Sequence, residues 1–311
     1  MNPERASGGR GRPGSHAFGG GRSGVGGRER DGAAHFYFED FLGERDRREL
    51  HDYLGSLHPI WENRYPDGRP PPDGKLQRRL LRPVYWLGSW QFACLDYYRP
   101  PRGVRNRCVL AEPFPPVLTR LVAEIERRIL RLFKGRDVPP GFRLNTCLLN
   151  FYGNRLETGR SVDVARVGEH RDFEPGPVAS LSLGERALFQ FVQGEGRRDE
   201  RHSSAAAPFL SQWLDDGSLQ IFGGAALKDR ALHRVQRVAR NAELDLPPRI
   251  EGFRTRRVNL TFRYVPVAHI VPFERLDEPA LGDVRPYVAE LARHSRFFEA
   301  ALLAASDPRP R

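Results

Sequence analysis

At 311 residues the chain can hold one large domain or two small ones, and its 39% hydrophobic content is low for a wholly globular protein. The formal net charge is +11, nearly all of it arginine; GC-rich coding would explain arginine over lysine but not so basic a total, which favours polyanionic partners. No apolar run approaches the roughly 20 residues that span a bilayer or looks like a secretory leader, and Cys94, Cys108 and Cys147 are too few and too unevenly spaced for a disulfide framework or a zinc cluster, so a soluble chain in a reducing cytoplasm is expected.

Residues 1–32 are almost all Gly, Arg, Ser and small polar groups. Such a stretch buries too little to offset the entropy of ordering, so a disordered Gly/Arg-rich tail is expected, able to hold nucleic acid loosely through charge and guanidinium stacking. Order should begin at His35-Phe36-Tyr37-Phe38. Helix 44–57 follows, with Leu50, Tyr53, Leu54 and Leu57 at helical spacing. Residues 62–75 form a loop in which Pro70, Pro71 and Pro72 forbid helix and central strand. Residues 76–111 are dense in aromatics and arginines and read as strands and hairpins. Helix 115–134 begins behind Pro115-Pro116 and carries one apolar stripe, Leu118, Leu121, Val122, Ile125, Ile129 and Leu132, which should back a sheet. Strands are predicted at 144–152, 178–183, 187–192, 218–222, 233–238 and 258–264, with a charged insertion at 193–208 read as a loop. A last amphipathic helix is expected at about 286–304. Mostly antiparallel strands backed by helices imply an α+β protein with a jelly-roll core.

The chemistry concentrates between Asn150 and Asp172. His170-Arg171-Asp172 is a His-x-Asp pair, and on an extended strand side chains two apart share a face. One distant histidine would complete two imidazoles and a carboxylate, a facial triad suited to non-haem Fe(II). His233, near a predicted strand, is the leading candidate, and His202, in the insertion, ranks second. After it, Arg257-Val-Asn-Leu-Thr-Phe-Arg263 alternates along a strand. Arg257, Asn259, Thr261 and Arg263 share one face, its two arginines roughly 20 Å apart at ~3.3 Å per residue. Taken alone, His-x-Asp is as readily a surface pair, Tyr152 a core tyrosine and Arg257 a surface cation.

The ordered set is more specific: Asn150-Phe-Tyr152, Gly168-Glu169-His170-Arg171-Asp172-Phe173-Glu174, His233, then Arg257 to Arg263. It resembles the AlkB family of Fe(II)/2-oxoglutarate dioxygenases, over about residues 35–266 and most closely from 144 to 264. The resemblance implies a double-stranded β-helix at 144–266. Ahead of it would lie N-terminal helices and a substrate lid at 33–143, and behind it an extension at 267–311. It implies iron on His170, Asp172 and His233. 2-Oxoglutarate would be held by Asn150, Tyr152, Arg257, Arg263 and Asn259 or Thr261. Glu174 would read the amino group of a flipped base. Trp90 and Phe92 are carried as aromatics that could stack on that base, although packing the lid onto the core explains any single one as well. The implied reaction consumes O₂ and 2-oxoglutarate, hydroxylates an N-methyl group on DNA or RNA and releases formaldehyde, a repair activity expected of a monomer. The same oxidation of a protein or metabolite, or a silent nucleic-acid-binding module, are the alternatives.

Overall fold

The computed structural model describes residues 26–30, 33–64, 78–91, 108–194, 207–236 and 244–306. Phe92 with the rest of residues 92–107 of the predicted lid, the proline-rich residues 65–75 and residues 195–206 of the insertion, His202 among them, lie outside the described residues.

Two strands open the described chain, β1 (Gly26–Arg30) and β2 (Ala33–Phe38), paired antiparallel. Structure thus begins within the stretch read as an unstructured tail through residue 32. Residues 26–30 pair along one edge of β2, which a composition argument does not see. Helix α1 (Glu44–Gly55) buries Leu50 and Leu54. Short strands β3 (Asn63–Arg64), β4 (Arg78–Arg79), β5 (Val84–Leu87), β6 (Ser89–Trp90) and β7 (Cys108–Leu110) follow. Helix α2 (Pro116–Leu132) starts at its proline and buries Leu118, Leu121, Val122, Ile125 and Ile129, while Leu132 is half-buried. Each fully buried aliphatic side chain there stabilises the packing by about 1.5–3 kcal/mol.

The remaining strands are β8 (Thr146–Glu157), β9 (Arg160–Asp163), β10 (Val167–His170), β11 (Val178–Gly184), β12 (Ala187–Gln193), β13 (Pro208–Leu214), β14 (Leu219–Gly223), β15 (Ala231–Gln236), β16 (Phe253–Arg263) and β17 (Ile270–Val271). The major sheet runs β1-β2-β14-β11-β16-β8-β5, with β9 also on β8; the minor sheet runs β10-β15-β12-β13. All the pairings within these two sheets are antiparallel.

Two separate cores show how the layers stack. Val258, Leu260 and Phe262 of β16 point into a large core shared with α1, α2 and the C-terminal helices. Phe189 and Phe191 of β12 meet Val178 of β11 and Phe222 of β14 in a second core between the two sheets. Helices therefore cover one face of the major sheet and the minor sheet covers the other. This is a mixed α/β fold with facing antiparallel sheets, as a jelly roll requires.

The predicted last helix is two helices, α3 (Glu278–Ala292) and α4 (Arg296–Ser306). The Asp277 side chain caps α3 by accepting from the Ala280 N–H, so the helix begins ahead of the expected start at about 286 and Pro286 is interior. Ser295 separates the two helices; its hydroxyl accepts from the Phe298 N–H at 3.4 Å. The extension is not a separate unit. β17 pairs parallel with β7, and Phe298 packs edge-on against Trp90 at 5.6 Å.

Candidate active site

The minor sheet positions both histidines. His170 ends β10 and lies directly opposite His233 on β15, so their rings face the gap between the sheets at a centroid separation of 4.2 Å. Asp172 lies two residues past the end of β10 rather than on it. Its position comes from β16 instead: Arg263 donates from Nε at 3.0 Å and from Nη2 at 2.8 Å to Asp172 Oδ1. One candidate ligand atom from each of His170, Asp172 and His233 lies within 4.8 Å of the others.

The chemistry of this trio fits a metal. The His170 Nδ1–H donates to the Gly168 carbonyl at 2.8 Å, which fixes the tautomer and leaves Nε2 as the lone-pair donor. Asp172 Oδ2 is buried 3.5 Å from His233 Nε2 and has no hydrogen-bond partner among the described residues. Removal from water pulls both histidines below the usual value, His233 far below, with each further lowered by nearby positive charge. Burial alone would raise Asp172, but Arg263, then His233 and Lys228, hold its carboxyl well below the usual carboxylate range. Two neutral imidazoles and one carboxylate are the protonation states that a divalent cation needs.

A second group lines the same face of the major sheet. The register sets Arg257 opposite Tyr152 and Asn259 opposite Asn150, and cross-strand neighbours share a face. Arg257 is 3% exposed. Its Nη2 donates to Ser182 Oγ at 3.1 Å, and its guanidinium carbon lies 4.9 Å from the centre of the Tyr152 ring. Its Nε and Nη1 have no hydrogen-bond partner among the described residues, and burial lowers its pKa. Such a cation calls for an anion in its fork, and a dicarboxylate's distal end matches that geometry.

Asn259 and Thr261 are tied up internally. Asn259 Nδ2 donates to Ser180 Oγ and the Leu181 carbonyl, and Thr261 Oγ1 donates to Asn259 Oδ1. They hold the strand's face in place rather than offer free groups. The two arginines also divide their tasks: Arg263 serves Asp172 and lies 3.4 Å from Glu174, whereas Arg257 sits by Tyr152.

Glu174 is buried beside the trio, and neither carboxylate oxygen has a hydrogen-bond partner among the described residues. Trp90 is corrected. It is 1% exposed, and its indole N–H donates to the buried Glu62 at 2.6 Å, as that of Trp86 does at 2.8 Å. It packs the N-terminal region onto the core and cannot stack on a substrate.

Two residues escaped the sequence reading. Arg82 donates from Nε to Asn150 Oδ1 at 2.7 Å, and its guanidinium carbon lies 5.2 Å from the Tyr152 ring centre, so Tyr152 contacts two guanidinium groups. Lys228 buries an ammonium that has no hydrogen-bond partner among the described residues and feels the charges of Asp172 and Glu174. Arg82 carried no signal among so many arginines. Lys228 carried a faint one, as a rare lysine five residues before His233.

A model of the 2OG-Fe(II) oxygenase superfamily matches residues 35–263. The chain belongs to that superfamily: it is an Fe(II)- and 2-oxoglutarate-dependent oxygenase that takes O₂ as a substrate. Among solved structures, that of OsALKBH1 is 22% identical with a TM-score of 0.42, covering 76% of this chain and 100% of that one. That of E. coli ycfD is 12% identical with a TM-score of 0.28, covering 87% and 67% respectively. No curated protein matches. No helix among the described residues is long and apolar enough to cross a membrane.

Proposed function

We propose that this oxygenase is of the AlkB type and removes N-linked alkyl groups from nucleic-acid bases, releasing the carbon as formaldehyde. In this reading His170, Asp172 and His233 hold Fe(II), which supplies the activation of O₂ when bound. Asn150, Tyr152 and Arg257 hold the distal carboxylate of 2-oxoglutarate. Asn259 and Thr261 keep the strand that carries Arg257 in register, and Arg263 orients Asp172.

The observation that carries the substrate class is Glu174. Glu174 is buried 3.4 Å from Arg263, yet neither of its oxygens has a hydrogen-bond partner among the described residues, so it keeps acceptor capacity that a ligand's donors would fill. An exocyclic amino group of adenine or cytosine is such a donor. Its hydrogen bond to Glu174 would turn the adjoining ring nitrogen, and any methyl on it, toward the three metal-holding residues. Extruding a damaged base costs less than extruding a paired one, which favours lesions. The ordered motifs and the net charge of +11 support the same class.

The test is a panel of DNA, RNA and peptides, methylated and unmethylated, assayed for formaldehyde in the presence of Fe(II) and 2-oxoglutarate. Release from oligonucleotides carrying 1-methyladenine or 3-methylcytosine is expected. Release from methylated peptides alone would move the reading to a protein substrate.

A further inference from the structure

Arg82 has no role in the assignments above, yet it makes the one hydrogen bond that the Asn150 side chain has among the described residues. It stands two residues before β5, the end strand of the major sheet, whose Val84 lies opposite Asn150 on β8. The chain between them is fixed, because the Phe151 N–H donates to the Pro83 carbonyl at 3.2 Å. That pairing brings a guanidinium to the face that carries Asn150, Tyr152 and Arg257. Arg82 Nε donates to Asn150 Oδ1 at 2.7 Å. Its guanidinium carbon lies 5.2 Å from the centre of the Tyr152 ring, which that of Arg257 approaches to 4.9 Å.

An asparagine amide has two orientations of nearly the same shape, which exchange its oxygen for its NH₂ group. Only one of them suits this neighbour. A guanidinium has donors and no acceptor, so it must face the oxygen; the flipped amide would set donor against donor. With the oxygen turned to Arg82, Nδ2 keeps both N–H groups for a ligand, and it donates to none of the described residues. Asn259, directly across the strand pair, cannot supply such donors. Its Nδ2 is taken by Ser180 Oγ and the Leu181 carbonyl, and its oxygen accepts from Thr261. A carboxylate accepts and never donates, so the orientation of Asn150 sets whether that residue attracts or repels an anionic ligand.

We infer that Arg82 is a positioning residue for the cosubstrate: it locks the Asn150 amide with its NH₂ group toward the site, where that group donates to a carboxylate of 2-oxoglutarate. This rests on the reading of Asn150 given above and is independent of the nucleic-acid substrate. Arg82 touches no cosubstrate atom in this account. Its effect on 2-oxoglutarate therefore passes through Asn150 and disappears when the amide is removed.

The experiment is a double-mutant cycle read by binding. 2-Oxoglutarate is titrated calorimetrically into the manganese-loaded protein as wild type, Arg82→Met, Arg82→Lys, Asn150→Ala and the double variant Arg82→Met with Asn150→Ala. Melting curves establish that each is folded. Asn150→Ala should weaken binding on the order of tenfold or more, the worth of a hydrogen bond to a charged group. Arg82→Met should weaken it about two- to tenfold, and Arg82→Lys, which still donates to the amide oxygen, should recover part of that loss. The double variant should bind as Asn150→Ala alone does, since no amide is left to orient. In steady state the Arg82→Met loss should appear in KM for 2-oxoglutarate rather than in kcat. Should Arg82→Met fail to fold, Arg82→Lys with and without Asn150→Ala carries the same comparison. Unchanged affinity in Arg82→Met, or losses that add in the double variant, would overturn the positioning role and leave Asn150 as a cosubstrate contact. Wild-type affinity in Asn150→Ala would overturn the reading of Asn150 and the inference with it.

Discussion

Replacing Arg257 by methionine should move cosubstrate affinity and apo-protein stability in different directions. Arg257 is 3% exposed, and two of its nitrogens lack hydrogen-bond partners among the described residues. In the cosubstrate-free protein its charge is therefore buried at a cost, and an apolar side chain of similar length is often neutral or stabilising at such a place. With 2-oxoglutarate bound, the same guanidinium forms a desolvated ion pair, whose loss costs about 2–5 kcal/mol. At 1.4 kcal/mol per tenfold, that is about thirtyfold to several thousandfold in affinity. Calorimetric titration of 2-oxoglutarate and melting with and without it read the two effects separately. Wild type should gain about 2.7 kcal/mol of stability at a hundred times its dissociation constant, and Arg257→Met at that concentration should gain far less. Unchanged cosubstrate affinity, or an apo protein several kcal/mol less stable, would refute the assignment.

Alanine at His170, Asp172 or His233 should abolish Fe(II)-dependent decarboxylation of 2-oxoglutarate with the fold intact by circular dichroism; turnover by His233→Ala would mean that another residue is the third ligand. Arg263→Ala should weaken Fe(II) about ten- to a hundredfold in a metal titration, because it orients Asp172 through two hydrogen bonds; unaltered affinity would remove that role. Burial holds His170 and His233 below the ordinary 6.5, so the unfolded chain takes up protons first as pH falls. Denaturant unfolding of the metal-free protein should therefore show stability level above about pH 6.5 and falling below it, with a shallower fall in His233→Phe; a flat profile would contradict the depressed values. Deleting residues 1–25, which spares the β1–β2 pairing, should lower affinity for every oligonucleotide alike and flatten its salt dependence, whereas Glu174→Gln should change base preference and leave the salt slope alone.

What was legible in the sequence was what local spacing encodes. His170-x-Asp172 and the alternation from Arg257 to Arg263 each put chemically distinct groups on one face within a few residues. The same alternation puts Val258, Leu260 and Phe262 on the strand's other face, where the structure has them in the large core. What was illegible depends on chain segments far apart. Arg82 matters because β5 is added beside β8, which brings residue 82 against Asn150. Trp90 looked like a lid aromatic, but β17 and α4 close over it from near the other end of the chain. The division of labour between Arg257 and Arg263 followed from where Asp172 lands after β10 ends, and no spacing rule states that. The split of the last helix was partly readable, since Asp277 and Ser295 are ordinary capping residues.

The most direct test of the central claim is stoichiometry with a defined substrate. An oligonucleotide carrying a single 1-methyladenine is incubated with the protein, Fe(II), O₂ and 2-oxoglutarate, and formaldehyde, succinate and restored adenine are measured together. The account predicts that the three rise in equal amounts and vanish in Asp172→Ala. Succinate forming without formaldehyde, with the methylated base intact, would contradict it.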